Sequence, residues 1–347
     1  MDPFYGIEGD YIETKKDNLI FDVKGLLHPN DRKICFIRFY PDKEGDRVRK
    51  NILYKKIYNI KERYTFLKER FPKYIFFSEE LDLEVQGVEI KDIKKMYSPK
   101  DYFKRICRKV NLTRLEEYCK ELCEVFINKG NIPKNAIGIT GSPMVSLANE
   151  NSDIDLIIYG TKTSLAFQEK LENILEKSNS CRKYNIEEFQ RHFNWRAGGS
   201  SLSFKDFMRS EKRKLHQGKF FNTDFFIRYI KNPEDWKGNF YDFKYTDCGR
   251  LKLTAEITDS TDSIFTPCEY KINPVKILTS NPLFNNSDEF PLEKISSFRG
   301  RFCEHAITGE KVLVEGKLEK VMFKDKEKYY RILLGDQIRD RMIVLNG

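Results

Sequence analysis

Three aspartates and one glycine-serine pair are the residues of this 347-residue chain whose types and spacing could do chemistry. Asp153 and Asp155 stand two apart in Ser152-Asp153-Ile154-Asp155-Leu156-Ile157-Ile158-Tyr159, a run of strand-like composition, and side chains two apart on a strand share a face. Two carboxylates on one face repel unless a proton or a cation neutralises one of them. Hard oxygen ligands of this kind suit Mg²⁺ or Mn²⁺ when substrate phosphates complete the coordination shell. Upstream, Ala136-Ile137-Gly138-Ile139-Thr140 reads as a short apolar strand ending at Gly141-Ser142-Pro143. Glycine there lets the backbone approach a ligand, Ser142 is placed to cap a following helix while presenting a hydroxyl, and Pro143 suits the first helical position. Amides exposed at such a helix start attract phosphate. Downstream, Asp224 is the single acid in Phe220-Phe221-Asn222-Thr223-Asp224-Phe225-Phe226-Ile227, read as one apolar strand. A lone carboxylate is costly to bury there, and a metal ion shared with the other two acids would account for it; an edge-strand acid facing water is the alternative.

Taken together, Gly141-Ser142, ten intervening residues and Ser152-Asp153-Ile154-Asp155-Leu156 resemble the signature of the DNA polymerase beta-like nucleotidyltransferase superfamily. The likeness is greatest to its minimal, prokaryotic-type members and covers roughly residues 100 to 240. It implies metal-dependent transfer of a nucleoside monophosphate from an NTP such as ATP to an acceptor hydroxyl, with release of pyrophosphate. In that scheme Asp153 and Asp155 hold both Mg²⁺ (or Mn²⁺) ions, Asp224 joins them at the ion that lowers the acceptor's pKa, and Gly141 and Ser142 hold the outgoing phosphates. The chain departs from the family's pattern after the Gly-Ser turn. Minimal members usually carry a second glycine and basic residues in the helix expected there, where this chain has Val145, Ser146 and Asn149. Triphosphate contacts are therefore expected from elsewhere. A helix through Phe204, Phe207, Met208 and Leu215 carries Arg209, Lys212, Arg213 and Lys214 on its other face, and Arg213 and Lys214 are the candidates to neutralise a triphosphate or nucleic-acid backbone. A solvated basic face is the rival reading. His192 and His216, nearby, read as packing or surface residues.

The elements that must position these groups suggest three modules. Residues 1–97 read as a small mixed α/β module, with strands at Leu19 to Val23 and Ile34 to Tyr40 and a helix through Ile60, Tyr64, Leu67 and Phe71 that Pro72 stops. A basic stretch, Arg47, Arg49, Lys50, Lys55 and Lys56, is interleaved there with Tyr54 and Tyr58; it fits a solvated face or a nucleic-acid contact. Ser98-Pro99-Lys100-Asp101 is a helix start and sets the boundary of a core at 98–240, whose helical period runs through Leu112, Leu115, Cys119, Leu122 and Phe126. Residues 241–347 alternate in short runs, among them Leu251 to Ile257, Cys268 to Ile272, Lys311 to Leu318 and Tyr329 to Leu334, which predicts a β-rich module. The fold class expected is α/β (α+β), a mixed-sheet nucleotidyltransferase core with an extra module on each side.

A formal net charge of +9 attracts polyanions. With the extra modules, it directs the acceptor expectation to RNA or DNA; a protein acceptor, and a nucleic-acid-binding protein that has lost turnover, are the alternatives. The eight cysteines form no C-x-x-C pair and read as reduced core residues. The chain lacks an apolar run of membrane-spanning length and a signal-like start, which leads to the expectation of a cytoplasmic protein. G-x-x-x-x-G-K-[ST], H-E-x-x-H and G-x-S-x-G are all missing, so P-loop hydrolysis, zinc proteolysis and lipase-like chemistry lack their parts. Oligomeric state, base preference and the number of nucleotides added are not encoded in any motif.

Overall fold

The computed structural model describes residues 5–197, 202–279, 284 and 290–345. The chain has mixed α and β content and forms two compact units. The first comprises Met1–Ser78, Leu83–Arg182 and Gly218–Phe240, and the second Glu79–Asp82, Lys183–Gln217 and Tyr241–Gly347.

In the first unit an eight-stranded sheet uses β1 (Tyr11–Thr14), β2 (Ile20–Val23), β3 (Arg32–Pro41), β4 (Arg47–Arg49), β5 (Ile52–Lys56), β6 (Ile75–Ser78), β7 (Leu83–Glu89) and β8 (Ile93–Tyr97). Helix α1 (Ile60–Arg70) starts where the Asn59 side chain accepts from the amides of Lys61 and Glu62, satisfying donors that a helix start leaves without partners. Its Leu67 enters a core with Phe21, Ile37 and Tyr74. Helix α2 (Pro99–Arg108) has proline at its first position. Helix α3 (Arg114–Gly130) opens on a capping box between Thr113 and Glu116 and closes on Asn131 in the left-handed region.

A five-stranded sheet follows, from β9 (Ile137–Thr140), β10 (Ile154–Tyr159), β11 (Cys181–Arg182), β12 (Gln217–Phe220) and β13 (Thr223–Ile230), ordered β11-β12-β13-β10-β9. Helix α4 (Thr161–Lys177) connects β10 to the far edge. Strand β10 runs antiparallel to β9 and parallel to β13. Its apolar residues Ile154, Leu156, Ile157 and Ile158 are buried, as expected of a strand covered on both faces.

The boundary expected at residue 97 does not separate compact units, because the first ninety-seven residues are tied to the β9–β10–β13 sheet. The Thr140 hydroxyl donates to the Gly9 carbonyl, and Arg228 on β13 pairs with the fully buried Glu8 at 3.0 Å. Gly9 sits at φ +95°, and a Cβ there would lie 1.9 Å from the Ile157 side chain, so only glycine permits this approach. Residues 183–217, expected in the core, belong instead to the second unit.

That unit holds helices α5 (Ile186–Ala197) and α6 (Phe204–Glu211) and a six-stranded sheet. Its strands are β14 (Phe243–Asp259), β15 (Cys268–Ile277), β16 (Leu292–Ser297), β17 (Lys311–Phe323), β18 (Glu327–Leu333) and β19 (Arg341–Val344). The expected meander is there: β17 and β18 pair antiparallel across a turn at 324–326. Alternation along β14 and β17 buries Leu251, Leu253, Ala255 and Ile257 against Val312, Val314 and Leu318. Among the described residues, no helix is long and apolar enough to cross a membrane.

Candidate functional site

Asp155 lies on β10 opposite Thr140 of β9 on one side and Phe226 of β13 on the other. Because the β10–β13 register begins with Ile154 opposite Phe225, Asp224 falls beside Asp153 at the same end of the sheet. Side chains at matched positions of neighbouring strands share a face, so Asp153, Asp155 and Asp224 project from the same side. Asp153 is exposed and Asp155 partly buried. Asp224 is not buried as the apolar sequence around it suggested: its side chain is 46% exposed and forms an ion pair with Lys219 at 2.9 Å. The structural reason is that Phe220 to Ile227 is not one strand but two, with Phe221 and Asn222 forming the turn between β12 and β13. Among the described residues, no three His, Cys, Asp or Glu side chains are gathered tightly enough to hold a metal ion directly.

Gly141 has φ +81°, and a Cβ added to it would stand 2.7 Å from Asp155 Oδ2. The glycine thus lets the end of β9 pass directly over the carboxylate. No helix follows it, contrary to the sequence expectation. The Ser146 amide donates to the Pro143 carbonyl and the Leu147 amide to that of Ser142, while Ser146 itself adopts φ +57°. A left-handed residue at that point ends a helical turn rather than extending it, and Met144, Val145 and Leu147 are buried inward. The helix-terminus phosphate site expected from Gly141-Ser142-Pro143 is therefore not built. Ser142 is itself buried, its hydroxyl donating to Ser152 Oγ at 3.1 Å. Ser152 also accepts from the Asn149 amide at 2.9 Å and donates to the Asn149 side chain at 3.2 Å. Arg47, from β4, fastens this loop: its guanidinium donates to the Leu147 carbonyl at 2.5 Å and reaches Ser152 Oγ at 3.5 Å.

The electrostatics identify cations that sequence reading missed or left in a general basic stretch. Burial and the adjacent Asp153 charge raise the Asp155 carboxyl to about 7, against the opposing pull of Arg228, Lys56 and Arg38. Lys56 is itself brought down to about 8, first by burial and then by Arg38. Burial also works against the charge on Arg38, but Tyr11, Asp22, Asp155 and Asp153 outweigh it and hold the group protonated. Neither Arg38 nor Lys56 makes an ion pair among the described residues, and the Nε of Arg38 is buried without a hydrogen-bond partner. The signal for Lys56 was present in the basic stretch. Arg38, in the apolar part of β3, and Arg228, the one cation of β13, carry no motif, and only the sheet pairing reveals where they face.

Arg213 and Lys214 are placed otherwise than expected. Both belong to the second unit. Arg213 makes a two-pronged ion pair with Glu310 at 2.6 and 2.8 Å, and buried Lys214 is paired with buried Glu211 and donates to the Arg301 carbonyl. Their charges are engaged inside that unit. His216 is also buried there, against Glu304 at 2.5 Å, and His192 packs on Tyr184, in accord with packing roles. All eight cysteines are free thiols.

The chain is 28% identical over 335 residues to the uncharacterized protein MJ1086 of Methanocaldococcus jannaschii, an alignment covering 94% of each chain. No family model and no solved structure matches. The similarity therefore extends across both units, and the chemistry has to be argued from the site.

Proposed function

We propose that the Asp153, Asp155 and Asp224 face is the active site of a metal-dependent nucleotidyltransferase that moves a nucleoside monophosphate from an NTP to an acceptor hydroxyl, on RNA or DNA. The observation that carries this reading is the geometry at the end of the sheet: Asp153 and Asp155 share a face, the parallel register sets Asp224 beside them, and Gly141 passes over Asp155, whose carboxyl is raised to about 7 by burial and by Asp153. Such a pair favours a divalent cation, and an all-carboxylate donor set completed by phosphate oxygens fits Mg²⁺ or Mn²⁺. Asp153 and Asp155 would hold the metal ions, with Asp224 as a third ligand once turned from Lys219. Bound there, the ions would acidify the acceptor hydroxyl and offset the charge of the triphosphate.

The chain's own groups supply the remainder. Arg38 and Lys56 present cationic nitrogens that have no ion-pair partner among the described residues, in the role first assigned to Arg213 and Lys214. Gly141 keeps the space above Asp155 free of side-chain atoms. The Arg47–Leu147 bond holds the intervening loop in shape. In-line attack of the acceptor oxygen on the α-phosphorus forms one P–O bond and breaks the bond to the leaving pyrophosphate.

Incubation with α-labelled NTPs, Mg²⁺ or Mn²⁺, and RNA, DNA or protein acceptors tests the proposal. Incorporation that D153N and D155N abolish is the expected result; inactivity of the wild type with every acceptor overturns it. The Lys219–Asp224 ion pair favours one rival, a nucleic-acid-binding protein without turnover. Metal-independent oligonucleotide affinity with no incorporation would select it.

A further inference from the structure

The turn before Asp224 carries a feature that the carboxylate chemistry does not use. Phe221 adopts φ +49°, a conformation rarely taken by bulky residues and better suited to glycine or asparagine. It does so while 45% exposed, so core burial does not offset the strain. Its ring lies 5.2 Å from that of Tyr118 on α3 and 4.8 Å from that of Phe220, with Tyr118 and Phe220 5.8 Å apart. The Phe221 amide donates to the Ser180 carbonyl, which fixes the turn in place. Arg114 lies over the Tyr118 ring at 5.3 Å and donates to its hydroxyl. Residues 102–115 of α2, the following loop and the start of α3 contain five cations, Lys104, Arg105, Arg108, Lys109 and Arg114, and no acid. All five are exposed, and Arg105, Arg108 and Arg114 make no ion pair among the described residues.

We infer that Tyr118 and Phe221 form a stacking platform for a base of a single-stranded polynucleotide acceptor, with the basic residues of 104–114 along its backbone. Single-strand binders combine these two ingredients: aromatic faces that accept any base, and cations that follow the phosphates. Strained residues cluster at ligand-binding sites, held by surrounding contacts such as those of Phe221 with Tyr118, Phe220 and the Ser180 carbonyl. The platform lies three residues before Asp224, at the same end of the sheet but on the α3 side, where Phe225 packs against Phe126, so a single strand seated on it reaches the acids round that end. The inference rests on the nucleotidyltransferase reading for the identity of that hydroxyl.

Fluorescence anisotropy of dye-labelled single-stranded RNA and DNA oligonucleotides, with full-length protein in EDTA, isolates binding from chemistry. F221G removes the ring at a backbone position glycine accepts. It is expected to melt within a few degrees of the wild type yet bind about tenfold more weakly, in line with the loss of one base stack. F221W is expected to retain affinity, and R114A to weaken it and flatten its salt dependence. Equal affinity of F221G and wild type, or no single-strand binding by the wild type, overturns the inference. Metal-dependent transfer to a protein acceptor without oligonucleotide binding would overturn it while leaving the nucleotidyltransferase reading intact. Platform-dependent binding without transfer would do the reverse.

Discussion

Replacing Asp153 by asparagine should favour the metal-free fold more at neutral and higher pH than at pH 5. Asp155 is raised from 3.8 to about 7, first by burial and second by Asp153, with Arg228, Lys56 and Arg38 opposing. A rise of that size corresponds to roughly 4 kcal/mol at most. Asp155 keeps some contact with water and Asp153 is exposed, so screening leaves the Asp153 share at about 1 kcal/mol. The sign follows from proton counts. Between about pH 4 and 7 the folded state holds a proton on Asp155 that the unfolded state has lost, so stability falls as pH rises through that window and stays lower above it. D153N lowers the folded-state value, so its benefit exists above pH 7 and vanishes at pH 5, where Asp155 is neutral in the fold either way. Lost attraction to Arg38 acts at both pH values and cancels in the comparison; Lys56, brought down to about 8, loses the support of Asp153 only as pH approaches that value, which offsets part of the gain at pH 7.5. Urea denaturation in EDTA at pH 7.5 and pH 5 should therefore show D153N gaining up to about 1 kcal/mol at the higher pH relative to the lower. A difference of zero, or of opposite sign, would refute the claim that these two carboxylates repel across a partly desolvated face.

G141A should lower transfer about a hundredfold through displacement of Asp155, since its Cβ would meet Oδ2 at 2.7 Å; a melting scan should show only a modest loss, of order 1–2 kcal/mol, from the left-handed backbone. K219M releases the partner of Asp224, and calorimetric titration with Mn²⁺ should show tighter binding than wild type; weaker or unchanged binding would remove Asp224 from the ligand set. R47A takes a buried, charged donor from the Leu147 carbonyl, and should cost about 2 kcal/mol in urea unfolding. R213A breaks the pair with Glu310; it should leave nucleotide binding unchanged and cost about 1 kcal/mol of stability, whereas a selective rise in KM for NTP would restore the role read from sequence.

The placement of the acids was legible because it depends on local periodicity. Asp153 and Asp155 share a face by strand alternation, and their register with Asp224 follows from one parallel pairing. The helix start at Pro99 was likewise visible as a prolyl first turn, although the Ser98 side chain makes no cap bond, whereas the separate start at Arg114, with its Thr113–Glu116 capping box, lies inside what read as one continuous helical period. Three things were not legible, for separable reasons. The loop at 141–152 has the composition of a capped helix start, but its buried Met144, Val145 and Leu147 favour consecutive tight turns. Phe221 in a left-handed turn splits a run that read as one strand; Asn222 was the residue that could have marked a turn, while nothing in residue type announces a phenylalanine at φ +49°. Arg213 and Lys214 had the right charge and proximity in sequence, but Glu310, which takes up Arg213, lies some ninety residues onward, and Glu211, which takes up Lys214, sits three residues before it where helical spacing could have marked the pair. Arg38 gave the opposite error, because one cation amid the apolar residues of a strand carries no motif and acquires meaning only through the tertiary arrangement.

The bond from Thr140 to Gly9 spans 131 residues of sequence, and the Arg47 bond to Leu147 spans 100. The segment from Thr140 to Leu147 is thus clamped by an amino-terminal stretch that shares no motif with it. A fragment trimmed to residues 98–240 would forfeit Arg38, Arg47, Lys56 and Glu8 together and uncover Ile157 where Gly9 now lies. Miniaturisation of this protein would have to keep both segments, and transplanting the signature alone into another scaffold would carry over the acids without their counter-charges.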